Sequence, residues 1–296
     1  MAEHAWKGKT FGGSGLHRWL TCALKVMDVR LVYLFSAIFV VPVTMLINRH
    51  NTGIIYRYLR QRIGIPATKA WWKTYMNHCL FGQVIIDRFA MYAGKKFKVD
   101  IEGYDHFLSL ARRNEGFVQL SAHVGNYEIA GYTLVAEDKP FNALVFAAEK
   151  ASVMNNRNRM FTQTNIRMIP ISDDMSHIFL IDKALVNGET VSMPADRING
   201  SEKTVKVDFL GKKADFPLGP FSVPTMRGLD VIAVNVMKKG LKRYQIYVTP
   251  LSYDKGASRK EQVRQLSEAY VAELERVLRM FPTQWYNYFE FWNDRD

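Results

Sequence analysis

From residue 97 onward, the chain alternates short strand patterns with helical ones. Residues 97–102 place an apolar side chain at every second position, which is the period of a half-buried strand. The further strand candidates are residues 117–120, 142–147, 190–193, 205–210, 231–237 and 244–249. The helix candidates are residues 104–113, 172–186 and 258–281. Because helices that alternate with strands pack on the faces of a sheet, we predict an α/β fold with a mixed or mostly parallel sheet flanked by helices.

An uncharged apolar segment, residues 31–47, precedes this region. Its sequence, LVYLFSAIFVVPVTMLI, is at the lower limit of length for crossing a bilayer, and Pro42 is expected to kink a helix there. Basic residues lie on both sides, so the positive-inside tendency sets no orientation. We therefore predict an N-terminal membrane-associated helix that is kinked like a hairpin or lies in the interface of the inner leaflet, in preference to one that spans the bilayer. A buried helix of a soluble core is the alternative.

The remaining bulk features limit the class of protein. The net charge of +12 attracts anionic partners such as nucleic acid, anionic lipids or acidic carrier proteins. Cys22 and Cys79 are the only cysteines, so a disulfide framework is excluded and a reducing compartment is favoured. No histidine pair has the spacing of a zinc site. We divide the chain into a basic N-terminus with an anchor helix, residues 1–50, and a catalytic α/β domain, residues 51–296.

The segment FVQLSAHVGNYEIAGY, residues 117–132, carries the strongest chemical signal. A buried strand brings His123 to its carboxyl end, where catalytic groups collect in open α/β folds. Five residues separate His123 from Glu128, so the two meet only if the chain bends, and Gly125 with Asn126 permits a bend. A histidine oriented by a carboxylate can accept a proton from a hydroxyl or an amine. A purely structural histidine–carboxylate pair is the alternative.

Other enzyme classes lack their motifs. There is no GxSxG, which disfavours a serine hydrolase, and neither GxGxxG nor GxxxxGK[ST], the common phosphate loops. A basic protein that binds membranes or nucleic acid without catalysis remains the competing class, although no nucleic-acid recognition motif is present.

The block SAHVGNYEIAGY resembles the active-site block of the bacterial lipid A late acyltransferases, the lauroyl and myristoyl transferases of the lysophospholipid acyltransferase superfamily. Three further stretches are similar to that family in the same order: residues 193–197 (MPADR), residues 207–236 and residues 282–292 (PTQWYNYFEFW). The apolar N-terminal segment is similar to the family's membrane anchor. The resemblance rests on these blocks together.

The resemblance implies transfer of a fatty acyl chain from an acyl-carrier-protein thioester to a hydroxyl of a membrane glycolipid such as a lipid A precursor. This reaction belongs to lipopolysaccharide biosynthesis at the inner membrane, with the catalytic domain facing the cytoplasm. The resemblance makes His123 the general base and Glu128 its orienting partner. Asp196 matches the family's aspartate and is expected to support the site or to bind the acceptor. Arg197, Asn126, Lys150 and Gly219 are further candidate substrate-binding residues. Gly219 and Pro220, beside Phe216 and Phe221, belong either to an acyl groove or to an ordinary turn. No metal or other cofactor is expected, and neither is nucleic acid as a partner. A thioester is already activated, so no covalent acyl-enzyme is needed.

Two departures leave the acceptor open. Arg197 stands where the family has glutamine, and Ala147 or Ala148 stands where the family has an arginine. Lys150 is nearby, but a lysine does not reproduce the fork of a guanidinium group. An amino-acid lipid or an aryl-polyene-type lipid is therefore an alternative acceptor, through oxygen or nitrogen. The missing Pro-Glu-Gly-Thr motif disfavours phosphatidic acid synthesis.

Two basic clusters are candidate docking surfaces for an acidic carrier protein or anionic headgroups, with a solvated face as the alternative. The clusters are Lys203, Lys206, Lys212 and Lys213, and then Lys238, Lys239, Lys242 and Arg243.

Overall fold

A computed structural model describes residues 14–134, 139–146, 165–171, 175–198 and 203–292. Nine strands are present in that part of the chain: β1 Lys98–Glu102, β2 Phe117–Ser121, β3 Phe141–Phe146, β4 Ile166–Ile171, β5 Thr190–Pro194, β6 Thr204–Phe209, β7 Lys212–Pro217, β8 Val231–Gly240 and β9 Arg243–Leu251. Seven of them form one sheet in the order β1-β9-β8-β2-β5-β3-β4. The five strands from β8 to β4 are parallel, whereas β9 is antiparallel to β8 and pairs in parallel with β1.

Helices cover the sheet and precede it. They are α1 Ser14–Val26, α2 Val29–Phe35, α3 Val41–Ile47, α4 Arg49–Arg57, α5 Ala67–Tyr92, α6 Tyr104–Ala111, α7 Glu128–Thr133, α8 Ser176–Val186, α9 Gly219–Arg227 and α10 Arg259–Met280. Two π-helical turns, Ser36–Val40 and Tyr58–Arg62, join α2 to α3 and follow α4. The predicted α/β class, with a mostly parallel sheet flanked by helices, is confirmed.

The central strands are mostly apolar and buried because helices cover both of their faces. Val118, Leu120 and Val191 are completely buried, and α10 packs its apolar stripe on this core through Leu266 and Val277. Ser258 caps α10 by accepting a hydrogen bond from the backbone N–H of Glu261. This layer arrangement fixes the carboxyl ends of β2 and β5 side by side at one edge of the sheet.

Three sequence-based assignments need correction. The strand predicted at residues 205–210 is present as β6, but it forms a separate antiparallel pair with β7 across a turn at Leu210 and Gly211, outside the main sheet. Helix α8 begins at Ser176, and residues 172–174 lie outside the described residues. The ordinary turn considered at Gly219 and Pro220, as the alternative to an acyl groove, is instead the start of α9, with Pro220 in its first turn. The strands β4 and β7 were not predicted.

The apolar segment Val29–Ile47 is helical throughout and is long and apolar enough to cross a membrane. Pro42 has no N–H and its ring crowds the preceding turn, and the π-helical turn just before it accommodates both effects. One side packs on α5 through Val29, Tyr33 and Val41, while the opposite side stays exposed. Phe39, for example, is 59% exposed. The alternative of a buried core helix is therefore wrong.

The predicted domain boundary at residue 50 falls inside α4, and both α4 and the preceding α3 pack against α5. That division stays a prediction.

Candidate active site

The site forms where β2 and β5 end. These strands are parallel neighbours in register, with Ser121 opposite Pro194. His123 and Asp196 each follow two residues after the end of their strand. The imidazole Nδ1 lies 2.7 Å from Asp196 Oδ1, and the backbone N–H of His123 donates to Oδ2 at 2.9 Å. A carboxylate can only accept, so Nδ1 carries the proton and Nε2 keeps its lone pair. The side chain of His123 is 19% exposed, whereas that of Asp196 is 1% exposed.

Glu128 is not the partner of the imidazole, which corrects the predicted pairing. Its carboxylate forms an ion pair with Arg88 at 3.0 Å and accepts a hydrogen bond from the Tyr92 hydroxyl at 3.3 Å. The reason is the path of the chain. After His123 the loop crosses towards β8, on the opposite side of β2 from β5, and so delivers Glu128 to α5. His123 stays on the side of β5 and meets Asp196.

Backbone hydrogen bonds fix this loop. The N–H of Gly125 donates to Gln284 O at 2.8 Å, that of Asn126 donates to Val236 O at 2.8 Å, and that of Tyr286 donates to His123 O at 3.2 Å. Gly125 has φ +51°, and a Cβ there would lie 1.8 Å from the carbonyl oxygen of Val236. Only glycine fits this turn.

We expect Gly125→Ala to destabilise the fold by more than about 2 kcal/mol, because the clash with β8 adds to the strain of the left-handed backbone. Thermal unfolding of the purified variant measures the loss. Gly219→Ala is the matched control, since nothing lies within 4 Å of a Cβ at that position and its φ is not positive. Its melting temperature should stay near the wild-type value. Equal stability of the two variants would contradict the close approach at Gly125.

The other predicted binding residues do not share one location. Arg197 lies at the site: it donates to Tyr286 O at 2.9 Å, and its guanidinium lies 5.8 Å from the Phe289 ring. Asn126 is buried in the loop, with its Nδ2 3.5 Å from the Tyr244 hydroxyl. Gly219 is the exposed first residue of α9.

Phe216 and Phe221, the aromatic neighbours of Gly219, are fully buried in the core and do not line an open groove. Lys150 lies outside the described residues.

Electrostatics favours a neutral imidazole. Burial lowers the pKa of His123; the Asp196 carboxylate opposes this effect and the Arg197 guanidinium adds to it. Burial by itself would raise the pKa of Asp196, but the neighbouring imidazole and guanidinium hold that pKa below its usual value. At neutral pH the pair is therefore a neutral histidine beside a carboxylate, with a basic Nε2. This arrangement can take a proton from a hydroxyl or an amine.

Sequence reasoning missed the contribution of the C-terminal aromatic segment. Trp285 is 1% exposed, and its indole N–H donates to Asp196 Oδ2 at 3.5 Å. The ring packs edge-on against Tyr58 and Phe209, deep in the core. The sequence feature that could have indicated this role is the cluster of aromatic residues at 285–292. Such a cluster is typical of a core as well as of a membrane interface, so it does not identify the contact with Asp196.

The model of the family described as bacterial lipid A biosynthesis acyltransferase matches residues 83–292, a range that includes His123, Glu128 and Asp196 and covers more than half of the chain. The chain belongs to this acyltransferase family. The resemblance inferred from the sequence blocks is confirmed.

Among solved structures, the 1-acyl-sn-glycerophosphate (LPA) acyltransferase PlsC from Thermotoga maritima is similar to this acyltransferase. It is 16% identical, with a TM-score of 0.41, over 91% of this chain and 99% of that chain. No curated protein matches the chain. The segment Val29–Ile47 of the acyltransferase lies before the matched range.

Proposed function

We propose that this acyltransferase moves a fatty acyl chain from an acyl-carrier-protein thioester to a hydroxyl of a membrane glycolipid such as a lipid A precursor. The observation that carries the proposal is the His123–Asp196 pair at the carboxyl edge of the sheet, in a chain of the lipid A acyltransferase family. The partly exposed imidazole gives a substrate access to a basic nitrogen, and the buried carboxylate holds the ring in place.

In the proposed reaction, His123 Nε2 removes the proton from the acceptor hydroxyl while its oxygen attacks the thioester carbonyl carbon. The carbon–sulfur bond then breaks, and the leaving thiolate takes the proton back from Nε2. Asp196 stabilises the transient imidazolium and keeps Nδ1 protonated. Arg197 is the cation of the site that is suited to bind the carbonyl oxygen as negative charge develops, or a phosphate of the acceptor. Glu128 has a positioning role, since Arg88 occupies its carboxylate.

The exposed apolar side of Val29–Ile47 supports attachment to the inner membrane. Phe35, Phe39 and Ile47 are exposed on this helix, and Trp71 and Trp72 are exposed on α5. Tryptophan is enriched at the level of the lipid headgroups, which suits a helix pair lying at or in a bilayer. An acceptor embedded in the same membrane would then reach the site without leaving it.

The hairpin of β6 and β7 is the better of the two basic surfaces for an acidic carrier protein. Lys206 and Lys213 are exposed on it. In the second predicted cluster Lys238 is buried, and Lys242 and Arg243 form exposed ion pairs with Asp28 and Asp100.

Lipid mass spectrometry tests the proposal. Lipids are extracted from cells with and without the chain, and the wild type is compared with His123→Ala. A glycolipid that gains one acyl mass only with the wild type supports the proposal. Acyl gain on an amino-acid lipid or an aryl-polyene-type lipid would replace the acceptor, and no acyl gain on any lipid would contradict the function.

The pH profile gives a second prediction. The neutral imidazole is the active form, so kcat/KM should rise with pH through the pKa of His123 and stay level above it. Since that pKa is lowered from 6.5, the acid limb should lie below pH 6.5. Arg197→Gln removes a cation that lowers this pKa, so the limb should move to higher pH. Arg264→Gln, on the exposed face of α10, is the control. An unchanged limb in Arg197→Gln would contradict the assignment of His123 as the base.

A further inference from the structure

A buried ion pair lies behind the site. Lys238 of β8 pairs with Asp87 of α5, and their side chains are 2% and 0% exposed. The hydroxyls of Tyr33 and Tyr244 both donate to the Asp87 carboxylate. The Lys238 ammonium also lies 3.3 Å from each hydroxyl and donates to Leu241 O at 3.2 Å.

The buried pair of Lys238 and Asp87 contributes little net free energy to the stability of the fold. Burial lowers the pKa of Lys238 and raises the pKa of Asp87, and their mutual attraction opposes both effects. Taking two charges out of water costs several kcal/mol per ion, roughly what their attraction returns, so apolar residues of similar size would stabilise the fold about as well. Such a pair can instead specify one arrangement of the elements that supply it, here α2, α5, β8 and β9.

The network reaches the loop that carries His123. Asn126 Nδ2 lies 3.5 Å from the hydroxyl of Tyr244. The backbone of Lys238 exchanges two hydrogen bonds of 2.8 Å with the Gln284 side chain, and Gln284 O accepts from the N–H of Gly125. A shift of the ion pair would therefore displace Gly125 and Asn126, which lie two and three residues after His123.

The next residue of α5 holds the other end of the same loop. Arg88 pairs with Glu128, the first residue of α7, and Tyr92 one turn later donates to the same carboxylate. Consecutive α5 residues of opposite charge thus hold both sides of the loop. On its other side, α5 packs against α2 through Ile86 and Phe89, in the cluster that contains Tyr33.

We propose that Tyr33, Asp87 and Lys238 are positioning residues that couple the seating of the apolar helix α2 on α5 to the geometry of the His123 loop. The hydroxyl of Tyr33 is the contribution of the apolar segment to this network. Acyl transfer then depends on how that segment is held against α5. This inference rests on the proposed function for its kinetic consequence, and on the hydrogen bonds alone for its structural one.

Tyr33→Phe in the full chain tests the coupling, because it removes one hydroxyl and little volume. We expect kcat to fall about 10-fold with KM nearly unchanged, since small displacements of a catalytic group are costly. Amide hydrogen exchange in the peptide covering residues 121–131 should become faster, and the melting temperature should change by only a few degrees.

Tyr75→Phe is the matched control. Its hydroxyl, which lies on α5, donates to Ala37 O of the same apolar segment at 2.9 Å. Among the described residues, no hydrogen bond joins it to the His123 loop. We expect both readouts to stay at wild-type values. Equal changes in the two variants, or no change in Tyr33→Phe, would overturn the coupling. If the wild type transfers no acyl chain at all, the proposed function fails, and hydrogen exchange still decides the coupling by itself.

Discussion

Replacing His123 with alanine is expected to lower kcat for acyl transfer by about 10²- to 10⁴-fold, the usual contribution of a general base. The imidazole is the basic group that the fold presents beside a buried carboxylate, and without it the acceptor hydroxyl keeps its proton. KM should change little if substrates bind mainly through other groups. The measurement is a steady-state assay with purified, membrane-reconstituted protein and an acyl-carrier-protein thioester.

His123→Asn separates chemistry from structure. An asparagine amide can place an N–H donor close to the position of Nδ1, so the buried Asp196 keeps a partner, but it offers no basic nitrogen. We expect the same loss of kcat as in the alanine variant, with a melting temperature closer to that of the wild type. Near-wild-type activity in His123→Asn would return the histidine to a structural role.

Asp196→Asn is expected to lower kcat by up to about 10⁴-fold with little effect on the fold. The backbone N–H of His123 and the indole N–H of Trp285 both donate to Oδ2, so the remaining oxygen of the amide will occupy that position. Its NH₂ group then faces Nδ1 and donates to it. The imidazole is driven to the tautomer that carries its proton on Nε2, and this tautomer cannot act as the base.

Glu128→Gln is the control that distinguishes the two carboxylates. Arg88 loses its buried partner in this variant, so we expect a lower melting temperature and a smaller loss of kcat. Circular dichroism melts and the acyl-transfer assay on both variants give the comparison. The opposite outcome, with Glu128→Gln inactive and Asp196→Asn active, would show that Glu128 orients the histidine during catalysis.

The fold was largely readable from the sequence because its signals are local. The strand periods, the long stripe of α10 and the uncharged segment ending at Ile47 each depend on neighbouring residues alone. The missed strands have local reasons as well. In β7, Lys212–Pro217, two lysines and an aspartate hide the alternation, and β4, Ile166–Ile171, contains a proline.

The site was only half readable. A histidine at the end of a buried strand is a local signal, and it correctly placed His123 at the edge of the sheet. Which carboxylate meets it is not local. Asp196 lies 73 residues further along the chain, and the pairing of β5 with β2 places it beside His123. Glu128 is only five residues away, but the loop turns towards β8 and places it beside Arg88 of α5.

Lys238 is a second residue whose partner could not be predicted from its neighbours in the sequence. By sequence it is one of four basic residues in a short stretch, as fit for solvent as its neighbours. The antiparallel pairing of β8 with β9 and the packing of α5 turn it inward to Asp87. The sequence by itself therefore determined the α/β class, the apolar helix and the position of His123 at the end of a buried strand, since periodicity and composition act over a few residues. Only the tertiary structure decided which charges became partners, because strand order brings together residues that the chain keeps far apart.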